Sequence, residues 1–274
     1  MAKLYYKVTN KCNYNCEYCF YNVYDDKVEH IENKDYTLIS EIISSLHPSS
    51  IMISGGEPGT RNDIIELLLK LKPICENISV FTNGLFIERY FEFIIESGWP
   101  KLKFQVSIPD KGLSSRMLEK IKTIVEKGYI VNGYMIVDAF FEAKRRLIEE
   151  MSMLFTSLYF QPLAVPHHHY LYKTTLNCCS AENINKIVEM MCEYSPQCTD
   201  FYRYVGRYYN KNLLERILRL DAICTVGESA FFLNPDLTFA RCLHSSQEKM
   251  ESYSYAKECC SDRCICLARI NFEN

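Results

Sequence analysis

Between Leu4 and Phe160, short apolar runs rich in β-branched and aromatic residues alternate with longer segments whose apolar positions recur at three- and four-residue steps. The short runs predict strands at Leu4 to Val8, Ile51 to Ser54, Ile78 to Thr82, Leu102 to Ile108, Ile130 to Val137 and Leu158 to Phe160. Most positions within them are apolar, as befits strands buried in a parallel sheet. The longer segments predict covering helices at Tyr36 to Leu46, Asn62 to Ile74, Ile87 to Ser97, Ser115 to Lys127 and Ala143 to Phe155. Gly84, Gly98 and Gly128 fall near element limits, where a backbone tolerant of positive φ is useful. Strand-helix units in such a series predict an α/β protein, most economically a partial (β/α)6 TIM-like barrel.

After Phe160 the alternation stops. Gln161-Pro162 and the run His167-His168-His169 lead into helical periodicity at Ala181 to Tyr194 and Phe201 to Leu220. From Cys224 onward, two short extended pieces, Ala230 to Asn234 and Thr238 to Arg241, flank Pro235-Asp236-Leu237 and predict a hairpin before a cysteine-dense tail. The expected organisation is a barrel core over 1–165, a helical connection and substrate-site segment over 166–222, and a small metal-pinned extension over 223–274.

Charge narrows the partners little. The 31 basic and 34 acidic residues give a formal charge of −3, with no general pull toward nucleic acid or an anionic membrane. No apolar run reaches the roughly 20 residues of a membrane span, and the N-terminus lacks the basic-then-apolar pattern of a signal peptide. The expected compartment is the cytoplasm. Fourteen cysteines in a reducing compartment favour metal ligation over disulfides.

Cys12, Cys16 and Cys19 follow the first predicted strand with the spacing Cys-x3-Cys-x2-Cys. Soft thiolates suit zinc and iron–sulfur clusters alike, but three of them leave a four-iron cube with one iron lacking a protein ligand. A structural zinc loop would need a fourth, distant ligand. At the end of a first strand, this motif resembles the radical S-adenosylmethionine superfamily. The resemblance implies a [4Fe–4S] cluster whose open iron chelates S-adenosylmethionine, and reductive cleavage of that cofactor to a 5′-deoxyadenosyl radical that abstracts a hydrogen atom from substrate. It also implies a low-potential electron donor such as flavodoxin or ferredoxin, and places Tyr18 against the adenine.

Ser54-Gly55-Gly56-Glu57-Pro58 ends the second predicted strand, where two glycines let the backbone approach a ligand. The resemblance assigns this stretch, Gly55 to Pro58, to the methionine ammonium. Thr82-Asn83-Gly84 ends the third strand, and Ser107 with Asp110 ends the fourth, on the edge that carries active sites in strand-helix barrels. The resemblance points to Ser107 for the ribose and to Asn83 as a shaper of the site. Asn132 and Gln161 are amides in apolar surroundings, where an unpaired amide is costly. Facing the cavity and pairing structurally are both consistent with them.

Cys224 and Cys242, separated by seventeen residues and the predicted hairpin, resemble the opening of the auxiliary-cluster extension called Twitch or, when longer, SPASM. Two of Cys259, Cys260, Cys264 and Cys266 would complete a four-thiolate auxiliary [4Fe–4S] cluster, and which two stays open. Four thiolates also suit zinc. The eight residues after Cys266 lead us to expect the shorter, single-cluster form. The glycine that commonly stands five positions before the second cysteine is replaced by Leu237.

Cys178, Cys179, Cys192 and Cys198 are left over. Buried free thiols serve as small hydrophobes. A thiol beside a carbon radical can instead return a hydrogen atom, which makes Cys178, Cys179 and Cys198 candidate catalytic residues for epimerisation. The histidine run offers substrate or proton contacts, or forms a solvated loop. The expected activity is modification of a ribosomally made peptide by epimerisation, crosslinking or a related step. The alternatives are oxidation of a small molecule and a non-enzymatic metal protein that binds a partner. The first strand begins almost at Met1, so no leader-binding domain is expected before Cys12.

Overall fold

The computed structural model describes residues 2–19, 32–137, 144–162, 230–240 and 249–250, together with 186, 189 and 192–194. In chain order the elements are β1 (Lys3–Thr9), α1 (Tyr36–Ser45), β2 (Ser50–Gly55), a 3-10 turn (Pro58–Thr60), α2 (Ile64–Leu71), β3 (Ile78–Thr82), α3 (Leu85–Glu96), β4 (Leu102–Ile108), α4 (Ser115–Glu126), β5 (Val131–Val137), α5 (Arg145–Ser152), β6 (Ser157–Pro162), β7 (Ala230–Leu233), β8 (Phe239–Ala240) and β9 (Lys249–Met250). The six strands and five covering helices expected between Leu4 and Phe160 are all present, with limits moved by a few residues. Helical backbone at 186, 189 and 192–194 lies within the helix expected over 181–194, whereas the one expected over 201–220 lies outside the described residues. No helix among the described residues is long and apolar enough to cross a membrane.

The chain divides into two compact units, Met1–Phe81 with Leu218–Asn274, and Thr82–Ile217. In the first, β3, β2, β1 and β7 pair side by side, all parallel. β1 is buried on both faces, Leu4, Tyr6 and Val8 on one and Lys7 and Thr9 on the other. The predicted hairpin forms as the antiparallel pair β7 and β8, and β9 adds to it. Its root is part of the sheet, with β7 aligned to β1 from Lys3 opposite Ala230 to Tyr6 opposite Leu233. Tyr5 stacks on Phe232 across that pairing at 4.7 Å between ring centroids. The covering helices bury apolar residues at helical spacing: Ile39 and Ile43 from α1, and Ile64, Leu67, Leu68 and Leu71 from α2.

In the second unit, β4, β5 and β6 are parallel neighbours. α4 starts at Ser114, whose hydroxyl accepts from the Met117 amide, and buries Met117, Ile121 and Ile124. The Tyr129 hydroxyl, buried between α3 and the start of β4, donates to the Ile94 carbonyl at 2.6 Å and accepts from the Trp99 amide at 3.3 Å. A buried hydroxyl so satisfied fixes the helix end to the sheet. Gly84, Gly98 and Gly128 all take positive φ, as their positions at element limits require.

Candidate active site

The site begins with an irregularity. Against β2, Lys7 faces Ser54 while Thr9 faces Gly55, so the ladder slips at Val8 and the chain turns out of the sheet. Cys12, Cys16 and Cys19 lie on the segment that follows. The Cys19 amide donates to the Cys16 carbonyl at 3.0 Å, forming a tight turn, and the Tyr14 amide donates to Cys12 Sγ at 3.4 Å. Cys12 is exposed; Cys16, Tyr18 and Cys19 are half-buried. Partial burial pushes the Cys12 and Cys16 thiols up, and the neighbouring thiols add to it. Glu57 also raises Cys12, which the Tyr14 amide pulls the other way.

These mutual effects place the three thiols within electrostatic reach of one another. Among the described residues, however, no three His, Cys, Asp or Glu side chains converge closely enough for a single metal ion. By donor chemistry, three soft thiolates on one short segment would fit a four-iron cluster with one open iron.

The Gly-Gly turn packs directly on the cysteine segment. The Gly56 amide donates to the Thr9 carbonyl at 2.9 Å and the Glu57 amide to the Lys11 carbonyl at 2.7 Å. A Cβ on Gly55 would stand 2.3 Å from the Thr9 oxygen, and one on Gly56 would stand 2.1 Å from the Lys11 oxygen. Both glycines are thus required by close backbone approach. With these amides engaged, carbonyl oxygens are what the turn has left to offer a ligand, the right polarity for an ammonium group. Glu57 is fully buried and accepts from the Gly59 amide at 2.8 Å, which starts the 3-10 turn at Pro58.

Just beyond that turn lies a residue the sequence reading passed over. Arg61 is fully buried. It donates to the carbonyls of Val8 at 2.9 Å and Asn33 at 2.6 Å, and both its Nε and Nη2 reach Asp63, at 2.7 and 3.0 Å. Tyr36 donates to the same carboxylate at 2.6 Å. Burial alone would raise Asp63, but the bonds from Arg61 and Tyr36 outweigh it and hold the carboxyl at about 2. Tyr6 is pushed up to about 12 by burial, against the opposing pull of Arg61. An Arg-x-Asp pair immediately after a Gly-Gly-Glu-Pro turn is the signal that was available in the sequence.

In the second unit, Asn83 directly follows β3 and accepts from the Leu85 amide at 3.2 Å, while Ser107 is exposed near the end of β4. Both therefore lie at carboxyl ends of strands. Asn132 does not, since it is the second residue of β5, and its amide donates to Gln105 at 3.2 Å. Gln161 is the penultimate residue of β6, opposite Ile136. Register sets Ser107 beside Tyr134, and Tyr134 stacks on Tyr159 at 4.9 Å. Asp110 pairs with Lys144 at 2.8 Å.

Residues 6–149 match the radical SAM superfamily. The chain belongs to that superfamily. Membership implies a [4Fe–4S] cluster and S-adenosylmethionine as cofactors. Among similar proteins of known name, a probable GTP 3′,8-cyclase of Archaeoglobus fulgidus is 33% identical over 103 residues, 38% of this chain and 34% of the relative. A GTP 3′,8-cyclase of Staphylococcus epidermidis is 23% identical over 275 aligned positions, 88% of this chain and 78% of the relative. The match thus spans about a third of the first relative and over three quarters of the second. Streptococcus suis SuiB bound to S-adenosylmethionine has the same fold, with a TM-score of 0.65 at 14% identity, covering 90% of this chain and 62% of SuiB.

Cys178, Cys179, Cys198, Cys224, Cys242, Cys259, Cys260, Cys264, Cys266 and the histidine run lie outside the described residues. Cys75 is buried four residues beyond α2.

Proposed function

We propose that Cys12, Cys16 and Cys19 hold the [4Fe–4S] cluster, and that this radical SAM enzyme abstracts a hydrogen atom from a ribosomally made peptide. When bound, the cluster and S-adenosylmethionine supply an electron and a cleavable carbon–sulfur bond, and so the 5′-deoxyadenosyl radical. The observation that carries the reading is the hydrogen-bonded contact between the three-cysteine segment and the Gly55-Gly56 turn, which joins the cluster ligands to the backbone proposed to receive the methionine ammonium. Ser107 and Asn83, at strand ends, are assigned to the ribose and to shaping the site. Gln161 is assigned to the cofactor, Tyr18 to the adenine face, and a low-potential flavodoxin or ferredoxin to delivery of the electron.

The peptide is favoured because the fold follows SuiB over 90% of this chain, in a structure bound to its precursor peptide SuiA. Cys178, Cys179 and Cys198 are then the thiols to test as hydrogen donors in an epimerisation. A small-molecule substrate is the second reading, and similarity to the GTP 3′,8-cyclases favours it. The two separate in one assay. With reduced, iron-reconstituted protein, 5′-deoxyadenosine formation is followed with candidate precursor peptides encoded nearby, with GTP, and with neither. Stimulation by a peptide alone supports the first reading. Stimulation by GTP alone overturns it in favour of the second.

We further assign the tail to an auxiliary cluster held by Cys224, Cys242 and two of Cys259, Cys260, Cys264 and Cys266.

A further inference from the structure

We propose that Arg61 is a positioning residue for the first cluster, closing the base of the cysteine segment from beneath. Three observations converge on it. The ladder between β1 and β2 slips at Val8, and the carbonyl of that residue is the one Arg61 Nη1 takes at 2.9 Å. Arg61 Nη2 takes the Asn33 carbonyl at 2.6 Å, so a single guanidinium binds the chain at Val8, four residues before Cys12, and again at Asn33, fourteen residues after Cys19. Asn33 is held from its other side as well, its amide donating to the Pro235 carbonyl in the β7–β8 turn at 3.2 Å.

Beside this clasp, Thr9 Oγ1 donates to Glu32 at 2.7 Å and accepts from the Lys11 amide at 3.1 Å. Asp63 fixes the guanidinium plane through two bonds, and Tyr36 in turn orients Asp63. Arg61 is fully buried and so is its bond to the Val8 carbonyl, so loss of the guanidinium leaves a buried acceptor without its donor. A lysine retains the charge but lacks the planar fork that serves Val8, Asn33 and Asp63 together. Arg61 thus sets the span of the cluster loop without touching the cluster, in the manner of outer-shell partners that typically alter metal affinity 10- to 100-fold. The inference rests on Cys12, Cys16 and Cys19 being the cluster ligands.

The test compares the iron-reconstituted full chain with Arg61→Ala, Arg61→Lys and Ile64→Ala, the last a buried apolar control in the same unit whose side chain makes none of these hydrogen bonds. First-cluster iron is defined as that absent from Cys16→Ala. The readouts are the rate of its loss to a chelator, the electron paramagnetic resonance spectrum of the reduced cluster with and without S-adenosylmethionine, and the melting temperature of metal-free protein. We expect Arg61→Ala to lose first-cluster iron about tenfold faster than an equally destabilised Ile64→Ala, with an altered spectrum, and Arg61→Lys to fall between. If Arg61→Ala does not fold, Arg61→Lys decides: faster loss than Ile64→Ala supports the role, and wild-type loss with a wild-type spectrum overturns it. Equal rates in Arg61→Ala and Ile64→Ala also overturn it. Iron unchanged in Cys16→Ala would remove the cluster assignment itself, an outcome distinguishable from the failure of Arg61 alone.

Discussion

Gly55 and Gly56 show how little room the site leaves around its backbone. Gly56→Ala would bring a Cβ to 2.1 Å from the Lys11 carbonyl, a backbone atom that cannot swing away. We expect a loss of about 3 kcal/mol, at the upper end of the usual overpacking cost, and poor cluster retention. Gly98→Ala, where nothing lies within 4 Å of the added carbon, should lose only the roughly 1 kcal/mol of a left-handed φ. Thermal unfolding of the two metal-free variants checks the contrast. Leu237 presents the opposite case, a leucine held at φ 66° in the β7–β8 turn. Leu237→Gly should stabilise by up to about 1 kcal/mol, seen as a raised melting temperature, because glycine carries no Cβ penalty there.

Among elements, the polar cluster behind β1 makes stability depend on pH at both extremes. Asp63 sits at about 2 against an ordinary 3.8, so its contribution is complete above about pH 4 and lost as pH falls toward 2. Tyr6, through burial, and Tyr36, through burial and its bond to Asp63, are raised from 10.0 to about 12. Their contribution is complete below about pH 10 and lost between 10 and 12. Denaturant unfolding across pH should show Asp63→Asn less stable than wild type at neutral pH and flatter on the acid side; an unchanged acid limb would refute the pairing. The only trace of this cluster in the sequence was the Arg-x-Asp pair after the turn, which reads equally as solvated surface. The helices were legible, because Leu67, Leu68 and Leu71, or Met117, Ile121 and Ile124, repeat at the helical period. The motif of Cys12, Cys16 and Cys19, proposed to hold the cluster, was legible because its spacing is local.

For the molecule as a whole, the parallel partnership of β7 with β1 joins strands from opposite ends of the chain, and no local pattern announces such pairing. The hairpin between Cys224 and Cys242 is therefore anchored to the strand that leads into the first cysteine motif. On the two-cluster reading, reconstituted wild type should carry about eight irons, and Cys224→Ala or Cys242→Ala about four, with the first cluster retained. Bound zinc in the tail, unchanged by iron loading, would replace the auxiliary cluster with a structural ion.

The most direct test of radical chemistry at Cys12, Cys16 and Cys19 is formation of 5′-deoxyadenosine from S-adenosylmethionine by anaerobically purified, iron-reconstituted and reduced protein, compared with Cys16→Ala. We predict cleavage by the wild type and none by the variant, which should also lose about four irons. Equal cleavage by both, or none by a wild type that holds its full iron, would contradict the assignment of this motif.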